Sequence, residues 1–363
     1  MRIKNVSGLA AAAVPGRRAD GRELLVVVAK ATYTVAADGM LVLAAEQEPL
    51  LYADRFDGEP GLCPPIAEQD FAPLKPRCDV VVVGKAYAPG AVPSTAFDVR
   101  LTVGPIDKTI HVVGDRVWRR GLFGVGASQP EPVTTVSLGW DRAWGGADST
   151  HPKAKHHGWV PENPLGRGFH TNHAKPVIQG KPLPNLEAPG RPITKADGTY
   201  APVGLGPVSR NAQPRLALAG TYDQRWQDEV APFPPDDFRD DFHQYAPADQ
   251  QMPYPQGGEQ VTLTNCTPEG ELTFTLPNLP VPVNVHRLHR RDDELTGVLD
   301  TIIVRPESRT VLCLWRTHVV LATNLTEVTE VVIGPMSPSY FRARRLGKRW
   351  YPSVAALIES RRA

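Results

Sequence analysis

The chain has 363 residues, 41% of them hydrophobic and 22% charged, which excludes a chain disordered throughout and leaves room for one large domain or two ordinary ones. Its 40 Lys and Arg against 39 Asp and Glu give a formal charge of +1, which argues against a dedicated nucleic-acid binder while leaving room for a local basic patch. With 37 prolines, the chain is well above the usual share of about 5%, so long irregular connections or short strands are required.

The N-terminal apolar patch, Leu9 to Val14, is short for a signal segment and runs into Pro15, Arg17 and Arg18; an ordered start followed by a loop is expected. Residues Leu24–Val35 (LLVVVAKATYTV) form a continuous β-branched run. Asp38-Gly39 then marks a hairpin turn, and Met40–Leu43 returns. Asp79–Ala88 reads as a buried strand, Phe97–Val103 alternates as FDVRLTV, and Lys108–Trp118 follows with a break at Gly114-Asp115. From Trp140 to Gln256 the periodicity fades and Pro, Gly, Asn and Asp become dense. Yet the stretch is studded with rings: Trp140, Trp144, Trp159, Phe169, Tyr222, Trp226, Phe233, Phe238, Phe242 and Tyr245. Disordered segments are poor in aromatics, so packed loops and short helices clamped onto a sheet are expected. Strands resume at Gln260–Cys266 and Glu271–Leu276, and a hairpin spans Leu299–Trp315. Val354, Leu357 and Ile358 fall at helical spacing in the tail.

The expected fold is therefore mainly β: an antiparallel sandwich or barrel-like sheets, with long ordered proline-rich loops and a short C-terminal helix. Residues 1–335 are expected to make one domain, strand-rich at 20–139, loop-rich at 140–256 and strand-rich at 257–335. A basic tail with the helix follows at 336–363. Trp118 and Trp315 should be buried.

The chemical motifs are sparse. Cys63, Cys78, Cys266 and Cys313 include no C-x-x-C pair, so free thiols and a reducing, cytoplasmic setting are expected. His151, His156, His157, His170 and His173 gather loosely, without H-E-x-x-H or a carboxylate at a ligand offset, so a polar loop without metal is expected. His286 and His289 lie among Arg287, Arg290 and Arg291 and read as a strand edge or basic surface. Asp236, Asp237, Asp240 and Asp241 crowd around Arg239, with Phe238 and Phe242 four residues apart. A pair of facing acids there could hydrolyse glycosides, but an amphipathic turn with an acidic outer face is the simpler account. Phosphate-binding, dinucleotide-binding and nucleophile-elbow motifs are absent.

Several segments carry a resemblance to a known family: VVVAKATYTVAADG (Val26–Gly39), KPRCDVVVVGKAYAP (Lys75–Pro89), VGDRVW (Val113–Trp118), ENPLGRGF (Glu162–Phe169), LPNLE (Leu183–Glu187), GLGPVSRNAQPR (Gly204–Arg215), AGTYDQRW (Ala219–Trp226), APADQQ (Ala246–Gln251) and GGEQVTLTN (Gly257–Asn265). In their order and spacing the chain resembles the bacterial family catalogued as domain of unknown function 2169. It departs from that pattern at Ala212, where tryptophan is common before QPR, and at Trp140-Asp141, where Tyr-Glu is more usual. The resemblance implies a non-enzymatic chaperone or adaptor of type VI secretion. Such a protein holds an effector toxin and helps load it onto the secreted spike, the valine-glycine repeat protein or its PAAR tip. No catalytic residues are carried over. No cofactor, nucleic acid, membrane or small-molecule substrate is expected. The rings of Trp140, Trp144, Trp159 and Trp226 are the candidate contacts, because aromatics concentrate at interfaces. The alternatives are a hydrolase with an acidic or histidine-lined site in the loop region, or a structural part of an envelope assembly.

Overall fold

The β-branched run at Glu23–Val35 is buried on both faces, and the rest of the molecule is arranged around it. The structure is a computed structural model and describes all residues but 19, 122, 123, 173–176 and 363, with nothing said of the Arg362 side chain. Strand exceeds helix, 38% against 14%, as the alternating patterns require.

The larger sheet runs Arg2–Asn5, Val328–Ile333, Val281–Arg287, Asp293–Arg305, Thr310–Val320, Glu23–Val35, Ala10–Arg17. Its two end strands are consecutive in the chain, so the sheet curls into a nearly closed barrel. The pair Arg2–Asn5 and Val328–Ile333 is parallel, while the other neighbours along this path are antiparallel. Cys78–Val82 joins parallel to residues 301–304. The second sheet is antiparallel: Leu186–Glu187, Ile106–Val113, Ala96–Val103, Gln260–Thr264, Glu271–Thr275.

The two-residue period of a strand sorts the side chains. Leu25, Val27, Ala29, Ala31 and Tyr33 face inward and share one core with Val99, Leu101, Val103, Ile110, Val261, Leu263 and Phe274 of the second sheet. Leu24, Val26 and Val28 face outward and are covered by Tyr245 and Ala246 of the loop region. Burial on both faces is why this strand shows no polar alternation. Trp118 and Trp315 are buried as expected. At Asp38-Gly39 the turn is closed by the Met40 amide, which donates to the Asp38 carboxylate at 3.0 Å. Gly39 has φ 80°, and a side chain there would meet the Thr273 carbonyl at 2.9 Å.

Several boundaries differ from the sequence expectation. The run expected over Asp79–Ala88 is broken into Cys78–Val82 and Lys85–Tyr87. The patch at Leu9–Val14 is the expected ordered start, and takes the form of an edge strand, Ala10–Arg17. The hairpin around 299–315 is longer, Asp293–Arg305 with Thr310–Val320, and carries a bulge between Leu299 and Thr301. Val281–Arg287 is an additional central strand, so His286 is buried in the sheet and not part of a basic surface. The tail holds two helices, Pro338–Arg345 and the expected Val354–Arg362. All four cysteines are free thiols, and burial raises the pKa of Cys78, Cys266 and Cys313. Among the described residues, no helix is long and apolar enough to cross a membrane.

Candidate partner-binding surface

Between Trp140 and Gln256 the described chain has only two-residue strands and short helical turns, so its shape depends on side chains. Trp118, Trp144, Val160, Ile178, Leu183 and Ile193 form a small core of their own, with Phe169 and Tyr200 packed against it. The Trp144 ring meets Tyr200 edge-on at 4.8 Å and Phe169 at 6.2 Å. The indole of Trp118 donates to the Gly168 carbonyl at 3.0 Å. Gly145 allows the chain to pass close by: a side chain there would meet the Asn163 carbonyl at 2.1 Å.

Buried polar side chains then fasten this layer. Asn163 donates to the carbonyls of Trp140 (2.8 Å) and Trp144 (3.0 Å). Asn185 donates to the Val113 carbonyl and the Asp115 carboxylate. Arg116 pairs with Glu187 at 2.6 Å. Gln250 donates to the carbonyls of Val80 and Leu205. Beneath the loops lies a sheet of ion pairs: Lys30 with Asp70 (2.7 Å), Lys75 with Asp79 (2.7 Å), Arg316 with Asp300 (2.5 Å), and Arg215 with Glu68. Asp79 also accepts from Gln244 and the Tyr245 amide, and Lys75 lies 3.8 Å from the Tyr245 ring centroid. The bulge between Leu299 and Thr301 falls at Asp300, whose carboxylate faces Arg316.

Two cavities open in this fastened layer. One, of about 520 Å³, is lined by Lys108, Trp140, Pro202, Val203, Leu218 and Asp249, among others. The other, of about 430 Å³, is lined by Trp144, Trp159, Pro161, Phe169, Tyr200 and Pro202. Glu162 and Pro202 line both, so the two are adjacent. Lys108 is held on the floor by Asp249, Gln250 and the Gly204 carbonyl at 2.8–2.9 Å. Burial lowers its pKa, opposed by Asp249.

The two cavities take in three of the four sequence-selected tryptophans, Trp140 in the larger and Trp144 and Trp159 in the smaller, and leave out the fourth. Trp140 and Trp144 are 8% and 1% exposed and form walls of the cavities. Trp140 donates to the Gly206 carbonyl at 2.9 Å. Trp159 is 62% exposed and lines the smaller cavity. Its backbone pairs with Ala147–Asp148, and the Asp148 carboxylate is tied to Thr150 and Thr171. Trp226 lies half-buried in a separate turn, edge-on to Tyr222 at 4.7 Å, its indole donating to the Phe233 carbonyl. Lys108, Tyr200 and Pro202 were not singled out by the sequence; nothing in their local pattern marks them.

The acidic side chains take separate partners, and the histidines stay together only in part. Asp236 faces Arg225, Asp237 caps Thr221, and Asp241 pairs with Arg239. His151 and His156 stack edge-on at 4.4 Å, and His157 bonds the His151 carbonyl. His170 is set into the protein, with its pKa lowered by burial. His173 lies outside the described residues. Among the described residues, no group of three or more His, Cys, Asp or Glu side chains is placed to hold a metal ion.

A family model described as an uncharacterized protein conserved in bacteria, domain of unknown function 2169, matches residues 20–316. The chain belongs to this family. No curated protein and no solved structure matches it. The segments that carry the family resemblance supply Lys30, Lys75, Asp79, Arg116, Asn163, Asn185, Glu187, Arg215 and Gln250, all of them buried. Many of the residues that fasten loops to sheets therefore lie in the segments that carry the resemblance, while their partners Glu68, Asp70, Asp300 and Arg316 lie outside them.

Proposed function

We propose that the protein is a non-enzymatic adaptor that holds a type VI secretion effector and helps load it onto the spike, the valine-glycine repeat protein or its PAAR tip. The family resemblance supplies the role. The observation that carries the mode of binding is this groove of two adjacent cavities with aromatic and proline walls, one of them lined by the exposed Trp159, on loops already fixed by buried polar contacts. A site ordered before binding loses little conformational entropy when filled, and an exposed tryptophan in its lining is the residue type that dominates interfaces. An extended apolar segment of the effector fits such a groove. Co-expression with a candidate type VI effector toxin tests the reading. With Trp159→Ala, the toxin should lose solubility or co-purification while the adaptor keeps its unfolding midpoint. Undiminished complex in both Trp159→Ala and Tyr200→Ala would move the binding surface elsewhere, and a toxin that never associates with the wild-type chain would remove the adaptor role.

A further inference from the structure

A second concavity lies at the far end of the larger sheet, where Arg2–Asn5 meets the helix Pro338–Arg345 and the turn after it. It encloses about 630 Å³ and is lined by five cations, Arg2, Lys4, Arg344, Lys348 and Arg349, against one carboxylate, Glu330. All of these residues lie outside the span matched by the family model, so family membership does not account for them.

Its floor is fixed. His286 Nε2 is 2.6 Å from the Tyr340 hydroxyl, and His286 Nδ1 is 2.8 Å from Asp292. Arg344 donates to the same Asp292 oxygen at 2.9 Å. Burial lowers the His286 pKa against the pull of Asp292. A neutral ring that accepts from Tyr340 and donates to Asp292 satisfies all three groups. The helix carrying Tyr340 and Arg344 is thereby pinned to the barrel.

Two of the five cations are engaged with carboxylates: Arg2 with Glu330 at 2.6 Å and Arg344 with Asp292. The other three are not. Lys4 lies 4.6 Å from the Trp350 ring centroid and 5.3 Å from that of Tyr340, while Arg349 faces Tyr351. Among the described residues, no carboxylate forms an ion pair with Lys4, Lys348 or Arg349. A chain of net charge +1 thus gathers three uncompensated cations from two segments around one hollow. Like charges held together repel, and a multivalent anion relieves the repulsion best. Phosphate carries up to two charges and three acceptor oxygens, matching two ammonium groups and a forked guanidinium. The volume is in the range of small-molecule sites, and the rings of Tyr340 and Trp350 give it an apolar wall.

We propose that this cavity binds a phosphorylated ligand, with the phosphate held by Lys4, Lys348 and Arg349. The source is a soluble phosphate compound or a phospholipid headgroup, and the test separates them. Titration calorimetry of the full chain with pyrophosphate at low ionic strength should show saturable binding. Lys348→Glu/Arg349→Glu should weaken it by about ten-fold or more. Arg342→Glu/Arg345→Glu makes the same charge change on exposed arginines outside the lining, and should change it by less than about two-fold. The milder Lys348→Gln/Arg349→Gln gives the same reading if charge reversal lowers stability. Co-sedimentation with phosphatidylcholine vesicles, with and without phosphatidic acid, is run on the same variants. Binding to phosphatidate vesicles that the cavity pair removes identifies a headgroup; pyrophosphate binding without vesicle binding identifies a soluble ligand. Equal losses in the two charge-reversal variants, or no saturable binding to either probe, would overturn the site.

Discussion

The two sheets and the loop layer on them are held by different physics. Between the sheets, Val27, Ala29, Leu101, Val261 and Phe274 interlock without a polar atom beyond the backbone ladders. In the loop layer, short apolar contacts around Trp118 and Trp144 are supplemented by buried Asn, Gln, Arg and Lys side chains bonded to carbonyls and carboxylates. The first kind of packing tolerates exchange of similar volumes. The second is all-or-none, because a buried polar group that loses its partner is left unsatisfied. Loops without ladders can thus be as fixed as strands, at the cost of tolerance.

The largest expected effect tests that equivalence. Asp79→Ala strands the Lys75 ammonium and the donors of Gln244 and Tyr245, and should cost about 3–5 kcal/mol. Leu101→Ala in the sheet core should cost about 2–5 kcal/mol. Urea unfolding measures both; an Asp79→Ala loss below about 1 kcal/mol would mean that the ion-pair layer contributes little.

A second test uses acid. His243 is set among Lys75, Arg316, Arg210 and Arg215, and burial first, then those cations, push its pKa down to about 3. The unfolded chain protonates this ring near pH 6.5 while the folded one does not. The resulting stability is complete above about pH 6.5 and is lost as pH falls toward about 3. Between pH 6.5 and 5 the loss should reach at most about 2 kcal/mol, and His243→Asn should remove it. Identical acid slopes in the two proteins would show that the ring is not held neutral.

Asn163→Ala should cost about 1–3 kcal/mol by freeing the Trp140 and Trp144 carbonyls. Hydrogen exchange should rise in residues 140–170 while Glu23–Val35 stays protected; a rise throughout would erase the distinction between the regions. Smallest of all, Trp159→Ala should change stability by less than about 0.5 kcal/mol, since the ring is exposed. A larger loss would make Trp159 a clamp like its neighbours.

The same division governs what could be read in advance. Strands with a buried face announce themselves: Glu23–Val35 and Ala96–Val103 lie within two residues of their expected bounds. Val281–Arg287 does not, because Pro282 and Asn284 interrupt its apolar pattern, yet Asn284 is buried in mid-strand. Ala10–Arg17 is an edge strand of small residues with Pro15, a position where proline is tolerated and propensity is uninformative. In the loop layer no period separates inward from outward rings, so Trp144 and Trp159 look alike in the sequence, although one is buried and the other exposed. Likewise Asn163 and Asn185 resemble ordinary turn residues until their carbonyl partners are known.

The pairing of Arg2–Asn5 with Val328–Ile333 has a consequence for biosynthesis. The Arg2 side chain meets Glu330 across 328 positions of sequence. A ribosome working at about 5–20 residues per second makes the first strand well before its partner exists. Until then the edge of the curling sheet is open, and a chain with such distant contacts folds slowly. Barrel closure therefore waits until Val328–Ile333 has been made. Any chaperone or partner strand acting on the nascent chain before that point meets it with that seam still unsewn.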